Sequence, residues 1–415
     1  MSIIISHPTG NANVRAAAKG LAKANLLALF YTSIAAFKGG ALFRLGNISV
    51  FSEIHRRQFD LSLQGSTRMY PIHELGRIIA TKFGWQKLIE HEKGLFCVDN
   101  IYQNLDKHIA SHLENAKEKM LIDGVYAYED GAAYSLMEAK RLGLKCYYDL
   151  PTGYWRAARK LLAAEIENYP EWSDTFTGFK DSVSKLKRKD HELALADVVF
   201  VASQFTASTL NDYPGKLPPV KIIPYGFPPV FKNREYIGFD KPRKLKLLFV
   251  GKLTQQKGIA NLFDSIKGKE EFVELTIVGS KSANLEILEN ELEKHTYIPT
   301  LPHDEVLKLM RVHDVLVFPS LFDGFGMVIT EAMSQGTPVI ASERCAGPDL
   351  IAHGKNGWLM KAGSTSSLIE IIENLLKDPD TISHIGKSAM ETARKRPWEV
   401  YGQELAHTIS TMILK

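Results

Sequence analysis

A chain of 415 residues with 45% apolar content can bury two or three domain cores at about 100–200 residues each, and two is the expected number. A formal net charge of +4 is mild for this length, and no aromatic-interleaved basic cluster has the look of a nucleic-acid surface, so no nucleic-acid partner is expected. Cys97, Cys146 and Cys345 are odd in number and far apart, which excludes a disulfide framework and a Cys-pair zinc site. The chain opens on the apolar "IIIS" instead of a signal peptide and has no run of about 18 apolar residues, so a soluble, non-secreted, cytoplasmic protein is expected.

"IIIS" is the first strand, followed by a helix with Val14, Ala17, Ala18 and Leu21 on one face and by the strand "LLALFY". Between the first strand and the helix, "HPTGN" (7–11) leaves two readings open. Gly10 either lets the backbone lie against a ligand or closes a tight turn capped by Asn11 or Asn13.

Residues 33 to 120 hold mostly helical patterns and are expected to form an insertion hung on the first domain. Within them, residues 38 to 93 carry nine Lys or Arg against five acids, with Phe43, Phe51, Phe59, Tyr70, Phe83 and Trp85 interleaved. Such a segment fits an anionic acceptor or peripheral contact with an anionic membrane, or else a helical cover with its aromatics inward.

The strands "VYAY" (125–128), "KCYYDL" (145–150), "DVVFVAS" (197–203) and "VKIIP" (220–224) complete the first domain. The basic run "KLKRKDHE" (185–192) is expected to be a solvated helix face. Residues 226–244, with three prolines and no period, read as the linker.

From residue 245 short apolar runs alternate with helical periods. "LKLLFV" (245–250) precedes a helix with Ile259, Leu262, Phe263 and Ile266 on one face, and "VELTIV" (273–278) and "DVLVFP" (314–319) repeat the plan. Continuous apolar strands between amphipathic helices mean a parallel sheet covered on both faces. The fold expected is therefore α/β, with two Rossmann-like domains facing a cleft. Domain limits fall at 1–226 and 227–397, and a terminal helix spans 398–415, with Trp398, Tyr401, Leu405 and Ile409 in one stripe that Thr408, Met412 and Leu414 widen.

Ligands of open parallel sheets bind beyond the carboxyl ends of the strands. "FDGFG" (322–326) lies there, ahead of a helix starting near Gly326, so backbone N–H groups and a positive helix end face an anion. Gly324 and Gly326 would let the backbone approach that ligand. Asp323 stays in the loop while Glu331 lies about one turn into the helix, so the two acids reach different parts of one ligand. Lys252 and Lys257 flank another such loop and can neutralise a diphosphate, unless they are ordinary solvated lysines. No P-loop and no Gly-x-Gly-x-x-Gly after a strand is present. "DPD" (378–380) reads as helix capping, and the histidines show no ligand spacing, so no metal site is expected.

"FVGKLTQQKG", "VGS", "LPHDEVLKLMRVHDVLVFPSLFDGFGMVITEAMSQGTPVIAS", "GPDLI" and "GKNGWLM" resemble the donor half of the family 4 retaining glycosyltransferases, which have the GT-B fold. The likeness runs from about residue 245 to 365 and continues through "LALADVVFVASQFT" and "VKIIPYGF". It implies sugar transfer from a nucleotide-diphospho sugar to a glycan or lipid-linked acceptor, with retained configuration, no essential metal and no cofactor besides the donor. In the family's Glu-x7-Glu pattern the second acid holds the ribose and the first contacts the donor sugar. Those roles fall to Glu331 and Asp323.

By the same resemblance the backbone at Gly324, Phe325, Gly326 and Met327 touches sugar and diphosphate, and Lys252 and Lys257 hold the phosphates. The backbone near "YIPTLP" (297–302), at Thr300 and Leu301, reads the base, expected to be that of UDP or GDP. Asp323 stands where the family usually has Glu, and Lys252 where it has Arg. Asp149, Pro151, Thr152 and Gly153 stand where many relatives carry a His. The resemblance also implies that the final helix packs back on the first domain. Two other readings are a sugar phosphorylase or synthase of similar fold and a non-catalytic sugar-nucleotide-binding subunit; the oligomeric state stays open.

Overall fold

The computed structural model describes residues 2–47, 54–239 and 242–413, so Phe51 and Leu414 lie outside the described residues. The first sheet has seven strands: β1 (Ile3–Ser6), β2 (Leu27–Thr32), β3 (Thr67–Met69), β4 (Gly124–Tyr128), β5 (Lys145–Leu150), β6 (Val198–Val201) and β7 (Val220–Ile222). The second has six: β8 (Leu245–Val250), β9 (Val273–Val278), β10 (Thr296–Ile298), β11 (Val315–Phe318), β12 (Val339–Ser342) and β13 (Trp358–Met360). Every strand pair is parallel, in the orders β3-β2-β1-β4-β5-β6-β7 and β10-β9-β8-β11-β12-β13. Both are doubly wound, with the winding reversing at β1/β4 and at β8/β11, where a crevice opens for ligands. The central strands are buried along their whole length, as "VVFV", "VLVF" and "VIAS" require when helices cover both faces.

The described residues of the segment 33–120 are mostly helical, but they are not an appendage. Its Thr67–Met69 stretch pairs with β2 as the edge strand β3. Its long helix Val98–Met120 covers the sheet through Leu105, Ile109 and Leu113, each at most 2% exposed. The aromatics divide: Phe59 is buried beneath Phe30 and Phe37, whereas Phe83 and Trp85 stack on each other at the surface, 61% and 52% exposed.

One apolar cluster runs through both domains, joining Ile3, Val14 and Leu21 to Phe325, Ile329 and Met333 by way of Tyr225, Phe227, Tyr401 and Leu405. The chain crosses between the sheets twice, side by side: the Phe227 N–H donates to the Arg396 carbonyl (2.8 Å), and Arg396 in turn donates to the Pro224 carbonyl. Residues 226–244 are no free tether, because Arg234 donates to the His313 carbonyl and the Tyr236 hydroxyl to that of Gly336. The last helix, Trp398–Ile413, lies on the first-domain helix Ala12–Lys23, with Tyr401, Leu405 and Ile409 buried. The two backbones touch at Gly20 and Gly402, where a Cβ on Gly20 would stand 2.2 Å from the Gly402 oxygen.

The run 185–192 is not a solvated face. In the helix Val183–Leu195, Arg188 pairs with Asp99 and Lys189 with Glu129 (3.3 Å) and Asp130 (3.5 Å), while Glu192 is fully buried and accepts from the Asp130 and Ala132 N–H groups. Burial pushes the Glu192 carboxyl up to about 8. Burial also works against the Lys189 ammonium, but Glu129 and Asp130 outweigh it and hold the charge. No helix among the described residues is long and apolar enough to cross a membrane.

Candidate active site between the domains

The carboxyl ends of β8 and β11 place "VGKLTQQKG" and "FDGFG" side by side at the second switch point. Lys257 forms an ion pair with Asp323 and lies over the Phe318 ring, 5.5 Å from its centre. Asp323 also accepts from the Phe325 N–H (3.2 Å), so its carboxylate is oriented from two sides. Gln256 braces the same loop: its side chain donates to the Phe322 carbonyl (3.1 Å) and its own carbonyl accepts from the Leu321 N–H (2.9 Å). Lys252 is exposed and makes no ion pair among the described residues.

The helix Met327–Ser334 follows, with Gly326 at its cap in the left-handed region (φ 81°). Glu331 lies one turn in, largely buried, with its Oε1 3.8 Å from His303 Nδ1. Burial raises the Glu331 carboxyl, and the neighbouring His303 opposes that rise. His303 begins the helix His303–Val312, directly after the loop that holds Thr300 and Leu301. "YIPTLP" is therefore a loop only from residue 299, since Thr296–Ile298 is the edge strand β10.

Close packing surrounds Gly324, Phe325 and Gly10. Gly324 approaches the other domain: a Cβ there would stand 2.1 Å from the Pro151 oxygen, and its carbonyl accepts from Ser203 Oγ (2.6 Å) and Thr206 Oγ1 (2.8 Å). The Phe325 ring is buried against Tyr225 (4.8 Å between centres), so only its backbone can serve a ligand. Gly10 is held in its turn, its N–H donating to His7 Nδ1 (3.0 Å) and its open side filled by the Phe59 ring. His7 is thereby kept neutral, its burial and the nearby Arg57 pulling it down to about 3.

A cavity of 230 Å³ opens between the domains against this loop, lined by Thr152, Arg159 and Lys189 on one side and by Lys257 and Asp323 on the other. The end of β5 builds its first-domain wall. Asp149 itself points away into the core, where the Tyr126 hydroxyl donates to it (2.5 Å) and burial pushes its carboxyl up to about 7. Among the described residues one group has the donor set for a metal ion, His91, Glu92 and Asp181, but Lys185 already pairs with Asp181 (3.0 Å). "DPD" brackets the junction of two helices with Asp380 at the cap position, though its side chain makes no capping bond.

Sequence reasoning missed Ser203, Thr206, Arg159, Lys189 and His303. Only the first pair left a trace: Ser203 caps the helix Gln204–Thr209 by accepting from the Thr206 N–H, a Ser-x-x-Thr spacing legible in "VASQFT".

Residues 232–392 match the model of the family Glycosyl transferases group 1. Sulfoquinovosyl transferase SQD2 of Arabidopsis thaliana is 30% identical over 184 residues, 41% of this chain and 35% of that protein. The capsular polysaccharide biosynthesis glycosyltransferase CapM of Staphylococcus aureus is 25% identical over 271 residues, 58% of this chain and 68% of its own length. The match to the first of these thus spans about a third of that relative. Whole-chain likeness comes from solved structures. Sucrose-phosphate synthase from Thermosynechococcus elongatus aligns with a TM-score of 0.64 at 17% identity over 100% of this chain and 99% of that one. HepE of Anabaena, in complex with UDP-glucose, aligns with a TM-score of 0.60 at 17% identity over 99% and 100%. The chain thus has two Rossmann-like domains of GT-B type, the second of which carries the glycosyl transferases group 1 sequence pattern.

Proposed function

We propose that the protein is a retaining, metal-independent glycosyltransferase that moves a sugar from a nucleotide-diphospho sugar, UDP or GDP, to a glycan or lipid-linked acceptor. The observation that carries this reading is the Lys257–Asp323 pair at the second switch point, facing an interdomain cavity, with Glu331 one helical turn behind. Breaking an anomeric C–O bond builds positive charge on the sugar and negative charge on the departing diphosphate. Fixed cations at the phosphates then stabilise the transition state more than the ground state. Lys257 and Lys252 are those cations, aided by the N-terminal end of the helix Met327–Ser334.

Glu331 holds the ribose, with His303 beside its carboxylate. Asp323, fixed by Lys257 and the Phe325 N–H, meets the sugar. The acceptor hydroxyl attacks the anomeric carbon from the face that the diphosphate leaves, and the leaving phosphate oxygen takes its proton. Retention and metal independence rest on the resemblance to family 4, and the nucleotide on that resemblance and on the UDP-glucose bound by the similar HepE. A thermal-shift panel of UDP, GDP, ADP and dTDP sugars tests the donor. A ligand at about 100 times its Kd adds roughly 2.7 kcal/mol of stability. A UDP or GDP sugar is expected to raise the melting temperature of the native chain and not of Glu331→Ala; a panel without any shift overturns the reading.

A further inference from the structure

Four of the five charged side chains lining the interdomain cavity are accounted for. Lys257 pairs with Asp323, Lys189 with Glu129 and Asp130, and Asp181 with Lys185 and His91. Arg159, on the helix Trp155–Asn168, is the exception. Among the described residues it forms no ion pair, its Nε is buried without a hydrogen-bond partner, and its one bond runs from Nη2 to the Asp181 carbonyl at 3.4 Å. Its guanidinium is held between aromatic rings instead, 5.4 Å from the centre of Trp155 and 5.9 Å from that of Phe179. Arg156, one turn away in the same helix, shows what an arginine there does when an acid is in reach: it stacks on Trp155 and pairs with Asp190 (2.6 Å).

A partly buried guanidinium with an unpaired Nε calls for an anion, and its planar fork matches a carboxylate or phosphate two bonds at a time. The cavity holds 230 Å³, below the about 300–1,000 Å³ of pockets that enclose a whole drug-sized ligand, so it suits a compact headgroup. We propose that Arg159 binds an oxyanion, phosphate or carboxylate, on the acceptor, and so turns an acceptor hydroxyl toward the Asp323 loop across the same cavity. This rests on the glycosyl-transfer reading above. The donor's own phosphates are a poorer match, because the cations for them stand on the second domain whereas Arg159 stands on the first.

Calorimetric titration of the full chain with glucose, glucose 6-phosphate and glucuronate at constant ionic strength tests it. One anionic probe is expected to bind at least about tenfold tighter than glucose, a loss of one charge-assisted pair being worth that much. A preference for glucose 6-phosphate assigns a phosphate, and one for glucuronate a carboxylate. Arg159→Ala is expected to bring the anionic probe down to the level of glucose, Arg159→Lys to restore part of the preference, and both to keep the native melting temperature. Should Arg159→Ala misfold, Arg159→Gln, which retains the stem and stacking, takes its place. Equal binding of the three probes, or a preference that survives in a folded Arg159→Ala or Arg159→Gln, overturns the proposal. If nucleotide sugars stabilise the chain and no anion preference exists, this inference fails alone. If the preference exists and no nucleotide sugar binds, the transferase reading fails and the acceptor assignment goes with it.

Discussion

Lys257→Met is expected to lower turnover by about 10²–10³ while the melting temperature stays close to native. Removing one preorganised group at a site of developing charge costs roughly 2.7–4 kcal/mol of barrier. The same substitution also breaks the pair with Asp323, but that pair is partly open to water and contributes only about 0–1 kcal/mol to folding. The catalytic effect should therefore dominate the structural one, and methionine retains a stem of similar length beside Phe318 while losing the cation. Steady-state kinetics beside a melting curve separates the two. A variant that loses stability in proportion to activity would make Lys257 a structural residue.

Removal of residues 398–415 is expected to destabilise the first domain and abolish transfer. Tyr401, Leu405 and Ile409 are at most 2% exposed, and side chains of this kind contribute about 1.5–3 kcal/mol each by burial. Their loss takes a large part of the roughly 5–15 kcal/mol that holds a typical domain together. The same removal strips the cover from Tyr225, which packs on Tyr401 on one side and on Phe325 of the site loop on the other. Gly20→Val offers a finer test of this contact, since any Cβ at Gly20 collides with backbone that no rotamer can move. Overpacking of this kind costs about 1–3 kcal/mol or more. A truncated chain with native melting temperature and turnover would contradict the account of this helix. Glu331→Ala serves as the contrast: the fold is expected to survive and donor binding to weaken.

Long buried strands were legible in the sequence; of the short edge strands, β7 was legible within "VKIIP" whereas β3 and β10 were not. "VELTIV" and "KCYYDL" became β9 and β5 residue for residue, because a strand covered on both faces is apolar along most of its length. β3 and β10 have three residues each and lie at sheet edges, where half-exposed side chains leave no apolar run. The second-domain side of the candidate site was legible because Asp323, Lys257 and Glu331 lie within short motifs that follow the carboxyl ends of two neighbouring central strands. The first-domain side was not, since Ser203, Thr206, Arg159 and Lys189 come from separate elements that only the folded pair of domains brings together. The 185–192 run misled for a related reason. Its charges look solvated as a string, and become a buried network only when Asp99, Glu129 and Asp130 arrive from elsewhere in the chain.

The most direct test of the central claim is proton NMR of the full chain with EDTA and whichever nucleotide sugar stabilises it. The account predicts slow release of the nucleoside diphosphate and a sugar product whose first-formed anomer has the configuration of the donor. Binding without any consumption of donor would make the protein a sugar-nucleotide-binding subunit, and an inverted first-formed anomer would contradict attack from the face that the diphosphate leaves.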